Sequence, residues 1–296
     1  MHQHVITFKN NGGRTGNLIF EYMICKLIEI KFKCHKYIPY DEFTTNNNYN
    51  TNNAFLITDD NIEEILSSSF FIFVLLQNNN IICNGYFQKS KFFLGNETRN
   101  GLLETMREST EDYWILNDHK YYITDFFKET PRFVVTEKDV VISLRLDDFI
   151  QYPRPTSDIL PPKYYLDILD TLTFNKLYIV CDKLRHDWEY RYLEFFRKWN
   201  PTFVIGDTLL KDGALMRDCP IFIHSNSTFS WLMSFFSQNP DKKRYIPCTD
   251  QYTVQLLEHI DDTDIVEHIQ PLSHDAVHNL FCLDQPEQTE NLEENI

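Results

Sequence analysis

The chain has 296 residues with 28 Lys plus Arg against 43 Asp plus Glu, a net charge of −15. So acidic a chain cannot neutralise a phosphate backbone over a broad surface, which excludes general nucleic-acid binding, although a local basic pocket for one small anion stays open. The 24 Phe and 16 Tyr exclude a disordered composition, and the length suits roughly two domains with two separate cores.

The chain opens on a β-prone run, Val5 to Phe8, a glycine loop, Asn11-Gly12-Gly13-Arg14-Thr15-Gly16, and a segment from Asn17 of helical period. Phe20, Met23, Ile24, Leu27 and Ile28 form its apolar face, with Glu21, Lys26 and Glu29 on the other. Thr44 to Asn53 is a Thr/Asn tract that reads as a surface loop or a biased insertion. Phe70 to Leu76 and Ile81 to Tyr86 read as buried strands about the turn Gln77 to Asn80. Periodicity fades around Phe126 to Pro131, which places a domain boundary between about 120 and 138.

The second half alternates. Strands are expected at Asp139–Leu144, Lys176–Cys181, Thr202–Ile205 and Ile221–His224. Helices are expected at Lys163–Leu172, Trp188–Trp199, Leu209–Arg217 and Thr228–Phe236. That rhythm specifies an α/β fold with a parallel sheet covered on both faces. The domains are set at 1–130 and 131–283, with an acidic flexible tail at 284–296. The seven cysteines (25, 34, 83, 181, 219, 248 and 282) are scattered without a C-x-x-C pair, against a disulfide framework or thiolate zinc site. With no basic segment leading an apolar stretch at the start, and no apolar run near the roughly 20 residues of a membrane span, the expectation is a soluble cytoplasmic protein without signal peptide or transmembrane segment.

In an open α/β sheet ligands sit beyond the carboxyl ends of the strands, and three sets of residues fall there. Gly12, Gly13, Arg14 and Asn17 follow the first strand, where glycines let backbone N–H groups approach an anion or simply permit a tight turn. Ser143 and Arg145 end a buried strand; the guanidinium suits phosphate oxygens, or pairs structurally with Asp148. Ser225, Asn226, Ser227, Thr228 and Phe229 stand where a strand turns into a helix, able to cap its N–H groups or to share them with a phosphate. Asp262-Thr263-Asp264 has the spacing of a metal-binding D-x-D but reads as an acidic stretch that caps or faces solvent, and no metal site is expected. The sequons Asn96-Glu97-Thr98 and Asn226-Ser227-Thr228 are discounted in a chain without a secretory signal.

In order, these pieces resemble the α-1,2-fucosyltransferase family of inverting, GDP-fucose-dependent glycosyltransferases. Gly12-Gly13-Arg14-Thr15-Gly16-Asn17-Leu18-Ile19-Phe20-Glu21-Tyr22 is similar to the family's G-G-R-x-G-N-Q-x-F-Q-Y, and Gly85-Tyr86-Phe87-Gln88 through Phe93 to its G-Y-x-Q block. Ser143-Leu144-Arg145-Leu146-Asp147-Asp148-Phe149 partly matches H-x-R-R-x-D-Y, Pro161 to Tyr165 matches P-x-x-Y-Y, and Ser225 to Leu232 resembles S-N-S-S/T-F-S-W-W. The resemblance implies a GT-B-type fold, two Rossmann-like domains facing a cleft, with GDP-fucose held by the C-terminal one and no obligatory metal or other cofactor. It further implies transfer of fucose to a galactose-type hydroxyl of a glycan acceptor. Arg145 and Asp148 become the catalytic candidates, with Asp147 and Glu21 the other acids near motifs. Gly12, Gly13, Arg14, Asn17, Ser143, Asp182, Ser225, Asn226, Ser227, Thr228 and Phe229 become the donor-binding candidates. The family's His and second Arg are Ser143 and Leu146 here, and its second Trp is Leu232. Those departures leave open a transferase using another nucleotide-deoxyhexose, or a non-catalytic sugar-nucleotide or glycan binder. Acceptor and oligomeric state are not legible.

Overall fold

The computed structural model describes residues 4–9, 14–33, 35–45, 54–67, 79–85, 87, 90–146, 159–249 and 264–281. The first half holds strands β1 (His4–Phe8), β2 (His35–Tyr37), β3 (Phe55–Ile57) and β4 (Ile81–Cys83), all parallel, in the order β2-β1-β4-β3. Helices α1 (Thr15–Phe32), α2 (Tyr40–Thr45), α3 (Ile62–Ser67) and α4 (Asn96–Glu108) belong to this half. The antiparallel hairpin β5 (Tyr113–Leu116) and β6 (His119–Tyr122) follows, then the short α5 (Asp125–Lys128). Asn117 and Asp118 both have positive φ, 49° and 63°, which two-residue hairpin turns of the right twist demand and which Asn and Asp tolerate.

The second half runs β7 (Val140–Ser143), α6 (Pro162–Thr171), β8 (Leu177–Cys181), α7 (Asp187–Glu194), β9 (Thr202–Ile205), α8 (Leu209–Asp218), β10 (Ile221–Ile223) and α9 (Thr228–Phe236). It closes with β11 (Lys243–Cys248), β12 (Ile265–His268) and α10 (His274–Phe281). Its six strands are parallel in the order β12-β11-β10-β7-β8-β9. The alternating elements expected in this half are present within a residue or so at their ends, except that the helix expected over Trp188–Trp199 stops at Glu194 and Arg197–Trp199 forms a separate 3-10 turn. Two parallel sheets with covering helices, joined where α1 packs on α9, make the fold α/β with two Rossmann-like halves.

Several expectations need correcting. Glu21 and Lys26, read as the solvent face of α1, are 0% and 4% exposed. Asp112, at the entry to the β5–β6 hairpin, accepts from Tyr22 Oη at 2.7 Å and from Lys26 Nζ at 3.1 Å, while Glu29 takes the same ammonium at 2.7 Å. Thr44 and Thr45 lie in α2 rather than a loop, their hydroxyls bonding back to the carbonyls of Tyr40 and Asp41. The remainder of that tract, the expected strand Phe70–Leu76 and the tail 284–296 lie outside the described residues. Asp264 neither caps a helix nor faces solvent: its side chain is 0% exposed and pairs with Arg244 at 3.0 Å.

Nor are the cores separate. One apolar cluster runs from Ile6, Phe20 and Tyr22 through Phe93 to Phe222, Trp231 and Phe236. Helix α9 is apolar on nearly all sides, with Ser230 to Phe236 all buried, so it must be covered from both directions. The second sheet covers it from one side and α1 from the other, with Phe20 5.5 Å from Trp231 and Phe93 6.5 Å from Phe235 between ring centroids. No helix among the described residues is long and apolar enough to cross a membrane.

Candidate functional site

Chain order across the second sheet reverses between β7 and β10: β8 and β9 continue to one side of β7, β11 and β12 to the other side of β10. Crossover helices therefore leave to opposite faces there, opening a crevice at the carboxyl ends of those two strands. In the first sheet the same reversal falls between β1 and β4, so the glycine loop after β1 is the matching edge. Those of the singled-out residues that are described, Arg14, Asn17, Ser143, Arg145, Asp182 and Ser225 to Phe229, lie at these two edges because strand order puts them there.

At the second edge, Leu144 N extends the β7–β8 ladder by one bond, to Val180 O at 2.8 Å. Arg145 is the next residue off the sheet, its side chain 16% exposed. Ser143 ends β7 and is buried at 4%. Its hydroxyl lies 3.2 Å from Ser225 Oγ and accepts from Ser230 Oγ at 2.8 Å, and Ser225 and Ser230 are 3.0 Å apart. This closed triangle pins β7, the turn after β10 and the first turn of α9 together, and satisfies three buried hydroxyls internally. Ser143 and Ser225 thus set the shape of the edge rather than presenting open donors. Ser227 caps α9, its Oγ accepting from Phe229 N at 3.3 Å. Asn226 is 3% exposed, which keeps its sequon out of reach in the folded protein. Phe229 faces the core, edge-on to Phe126 at 6.3 Å. Leu146, where the resembled family carries its second Arg, is 5% exposed and packed in the apolar cluster with Leu144, Ile159 and Leu160.

The first half reaches across to this edge. Asn17 Oδ1 accepts from Thr228 Oγ1 at 3.2 Å. Gly16, at the start of α1, lies so close to the start of α9 that an added Cβ would sit 2.3 Å from Thr228 Oγ1 and 2.8 Å from Phe229 N. Two helix N-termini therefore abut, and their dipoles make the space beside them electropositive. Arg14 and Arg145, one from each half, add two guanidiniums; both donate through Nη1 to Asp182 Oδ2 at 3.0 Å. A sheet edge flanked by two helix starts and two arginines suits a compact anion with several oxygens. Gly12, Gly13, Asp147 and Asp148 lie outside the described residues.

The close approach at Gly16 has a measurable consequence. Gly16→Ala forces the backbone of α9 away from α1, since Phe229 N cannot rotate aside. The variant is expected to lose about 1–3 kcal/mol of stability, read as a lowered denaturant midpoint, together with weakened anion binding.

One site residue escapes a reading by motif. Asp212 belongs to the first turns of α8 and is 9% exposed, and its Oδ1 has no hydrogen-bond partner among the described residues. Gly213 lets α8 press against α9, a Cβ there meeting Met233 Sδ at 2.9 Å and Phe229 at 3.2 Å, which carries Asp212 inward. Burial, then the negative charges of Asp207 and Asp182, push its carboxyl up to about 7. Because the folded value lies above the ordinary carboxyl value near ~3.9, its stabilising contribution is complete below about pH 4 and is lost as pH rises towards 7. Asp212→Asn is expected to flatten the decline of the melting temperature between pH 5 and 8, so that the variant gains on the native chain as pH rises. The only signal in the sequence was a charged residue inside an otherwise apolar-periodic helix. Among the described residues no group of three or more His, Cys, Asp or Glu is placed to hold a metal ion.

No protein-family model matches the chain, and no curated protein matches it in sequence. Among solved structures, POFUT1 in complex with GDP is similar with a TM-score of 0.43 at 10% identity, over 82% of this chain and 97% of that one. POFUT1 in complex with GDP-fucose gives 0.38 at 13% identity, over 82% and 97%. The E. coli heptosyltransferase WaaC with ADP-2-deoxy-2-fluoro heptose gives 0.41 at 8% identity, over 93% and 98%.

Proposed function

We propose that this chain is an inverting glycosyltransferase that moves fucose from GDP-fucose to a galactose-type hydroxyl of a glycan, forming an α-1,2 linkage. The observation that carries this reading is the convergence, at the β7/β10 reversal, of Arg145 with the abutting starts of α1 and α9. The five motif blocks, in family order along the chain, supply the donor and the linkage.

In this reading the diphosphate lies against Arg145 and Arg14, with the helix N–H groups about it. As the bond from the fucose anomeric carbon to the β-phosphate oxygen breaks, negative charge grows on that phosphate. Cationic donors fixed in advance stabilise the charge without reorganising. The acceptor oxygen bonds to the anomeric carbon from the opposite face, inverting it; GDP leaves, and the acceptor proton passes to a base. Two guanidiniums and two helix starts take the part a metal ion plays elsewhere, so no added metal is needed.

The test is incubation of the purified chain with GDP-fucose and a panel of galactosides without metal, reading GDP release and the linkage by NMR. Acceptor-dependent release of GDP with a new α-1,2 linkage is expected. Uptake of donor with no release in any mixture would replace the reading by a non-catalytic sugar-nucleotide binder, and turnover of a different nucleotide-deoxyhexose would reassign the donor.

A further inference from the structure

A single carboxylate oxygen, Asp182 Oδ2, holds both guanidiniums of the site. Arg14 Nη1 and Arg145 Nη1 each lie 3.0 Å from it. Arg14 stands at the cap of α1 in the first half, Arg145 follows β7 in the second, and Asp182 follows the neighbouring strand β8. The contact thus ties the halves together at the mouth of the crevice. Its members are unequally placed: the side chain of Arg145 is 16% exposed, those of Arg14 and Asp182 50% and 58%. The buried arginine is fixed, and the carboxylate that bridges to it is the accessible, replaceable part.

We propose that Asp182 is a positioning residue that stands in for the diphosphate while the site is empty, holding Arg14 and Arg145 converged on one oxygen and giving them up when the donor enters. The inference rests on the reading that these arginines face a donor diphosphate. Donor N–H groups aimed at one oxygen cannot serve a second anion at full strength, and a carboxylate and a diphosphate repel at such range. A nucleoside diphosphate carries more charge and more acceptor oxygens than one carboxylate, so it wins the two arginines. An exposed ion pair is worth little in water, which makes the exchange cheap on the Arg14 side. The charge of Asp182, with that of Asp207, is felt at the buried Asp212, so the carboxylate that bridges the arginines stands in an acidic neighbourhood.

The roles predict opposite signs. If Asp182 only supported the fold of the site, removing its charge would weaken anion binding. As a displaced stand-in, Asp182→Asn binds inorganic pyrophosphate and GDP more tightly than the native full-length chain, by about 5-fold or more in calorimetry, whereas Asp182→Glu stays near the native affinity. With no ligand, hydrogen exchange at the first turn of α1, where Asn17 N and Leu18 N bond Arg14 O, is faster in Asp182→Asn, and pyrophosphate returns it to the native rate. If the native chain binds GDP and Asp182→Asn binds it equally or more weakly, the stand-in role is wrong while the proposed function survives. A native chain that binds neither GDP nor pyrophosphate sinks the functional reading. In that case unchanged exchange at α1 in Asp182→Asn overturns the bridging role too.

Discussion

Arg145→Ala is expected to lower acceptor-dependent GDP release by about 10²–10³-fold, equivalent to about 2.7–4 kcal/mol of barrier, the usual loss when one preorganised donor to a developing oxyanion is removed. The loss should fall on kcat more than on KM, because the charge Arg145 faces grows as the glycosyl bond breaks. Arg145→Lys should recover only part of the rate, since a lysine offers a single charged centre where the guanidinium offers a planar fork. The side chain lies past the end of β7, so neither variant should break the sheet, and a native circular-dichroism spectrum with a cooperative melt is the control. Full activity in Arg145→Ala would remove the cation from the mechanism.

Asp264→Ala is expected to destabilise the chain by about 3–5 kcal/mol, because it leaves Arg244 buried without its carboxylate. The two side chains are 1% and 0% exposed and 3.0 Å apart. The surroundings offer no relief: Lys242 is buried beside them, bonded to Met216 O and Arg217 O at 2.5 and 3.1 Å. His224 is also buried there, and burial with the charges of Lys242 and Arg244 holds its imidazole well below its usual value, hence neutral. Replacing both partners together, Arg244→Met with Asp264→Leu, should regain most of the loss in a denaturant titration, since an apolar pair of similar volume does not strand a charge. Equal losses in the single and double variants would show that the pair matters for shape alone.

The pair also shows how far the acidic stretch could be read. Asp264 sits in a run of acids that resembles a solvated or metal-binding segment. Its role depends on Arg244 of β11, and β11 was itself hidden: Lys243, Arg244 and Pro247 break the apolar run expected of a buried strand. Pro247 lies beyond the three residues of β11 paired to β10, so its missing N–H costs that ladder nothing. The β5–β6 hairpin was missed for a similar local reason. Its Asn117-Asp118 turn carries a valid signal, but His119 and Lys120 dilute the strand that follows. Burial of Lys26 could not be read at all, because it depends on Asp112 at the entry to that hairpin, 86 residues away.

The alternation of strands and helices in the second half was legible from period alone, since residues such as Val140 to Ile142, or Ile221 to Ile223, are buried on both faces and must all be apolar. The clustering of polar residues after those strands was legible too, because polar side chains at a sheet's carboxyl edge stand out against the runs before them. What they do there was not. A serine's neighbours lie 82 and 87 residues away in the triangle of Ser143, Ser225 and Ser230. The partner of Arg145 is Asp182, 37 residues on. Only strand order makes them adjacent, and strand order is settled by how the apolar faces of α1 and α9 are covered. Local pattern determined which segments from β7 to β10 are strands and where their edges fall; the joint burial of α1 against α9 decided that both edges meet, and so that two arginines from opposite halves share one carboxylate.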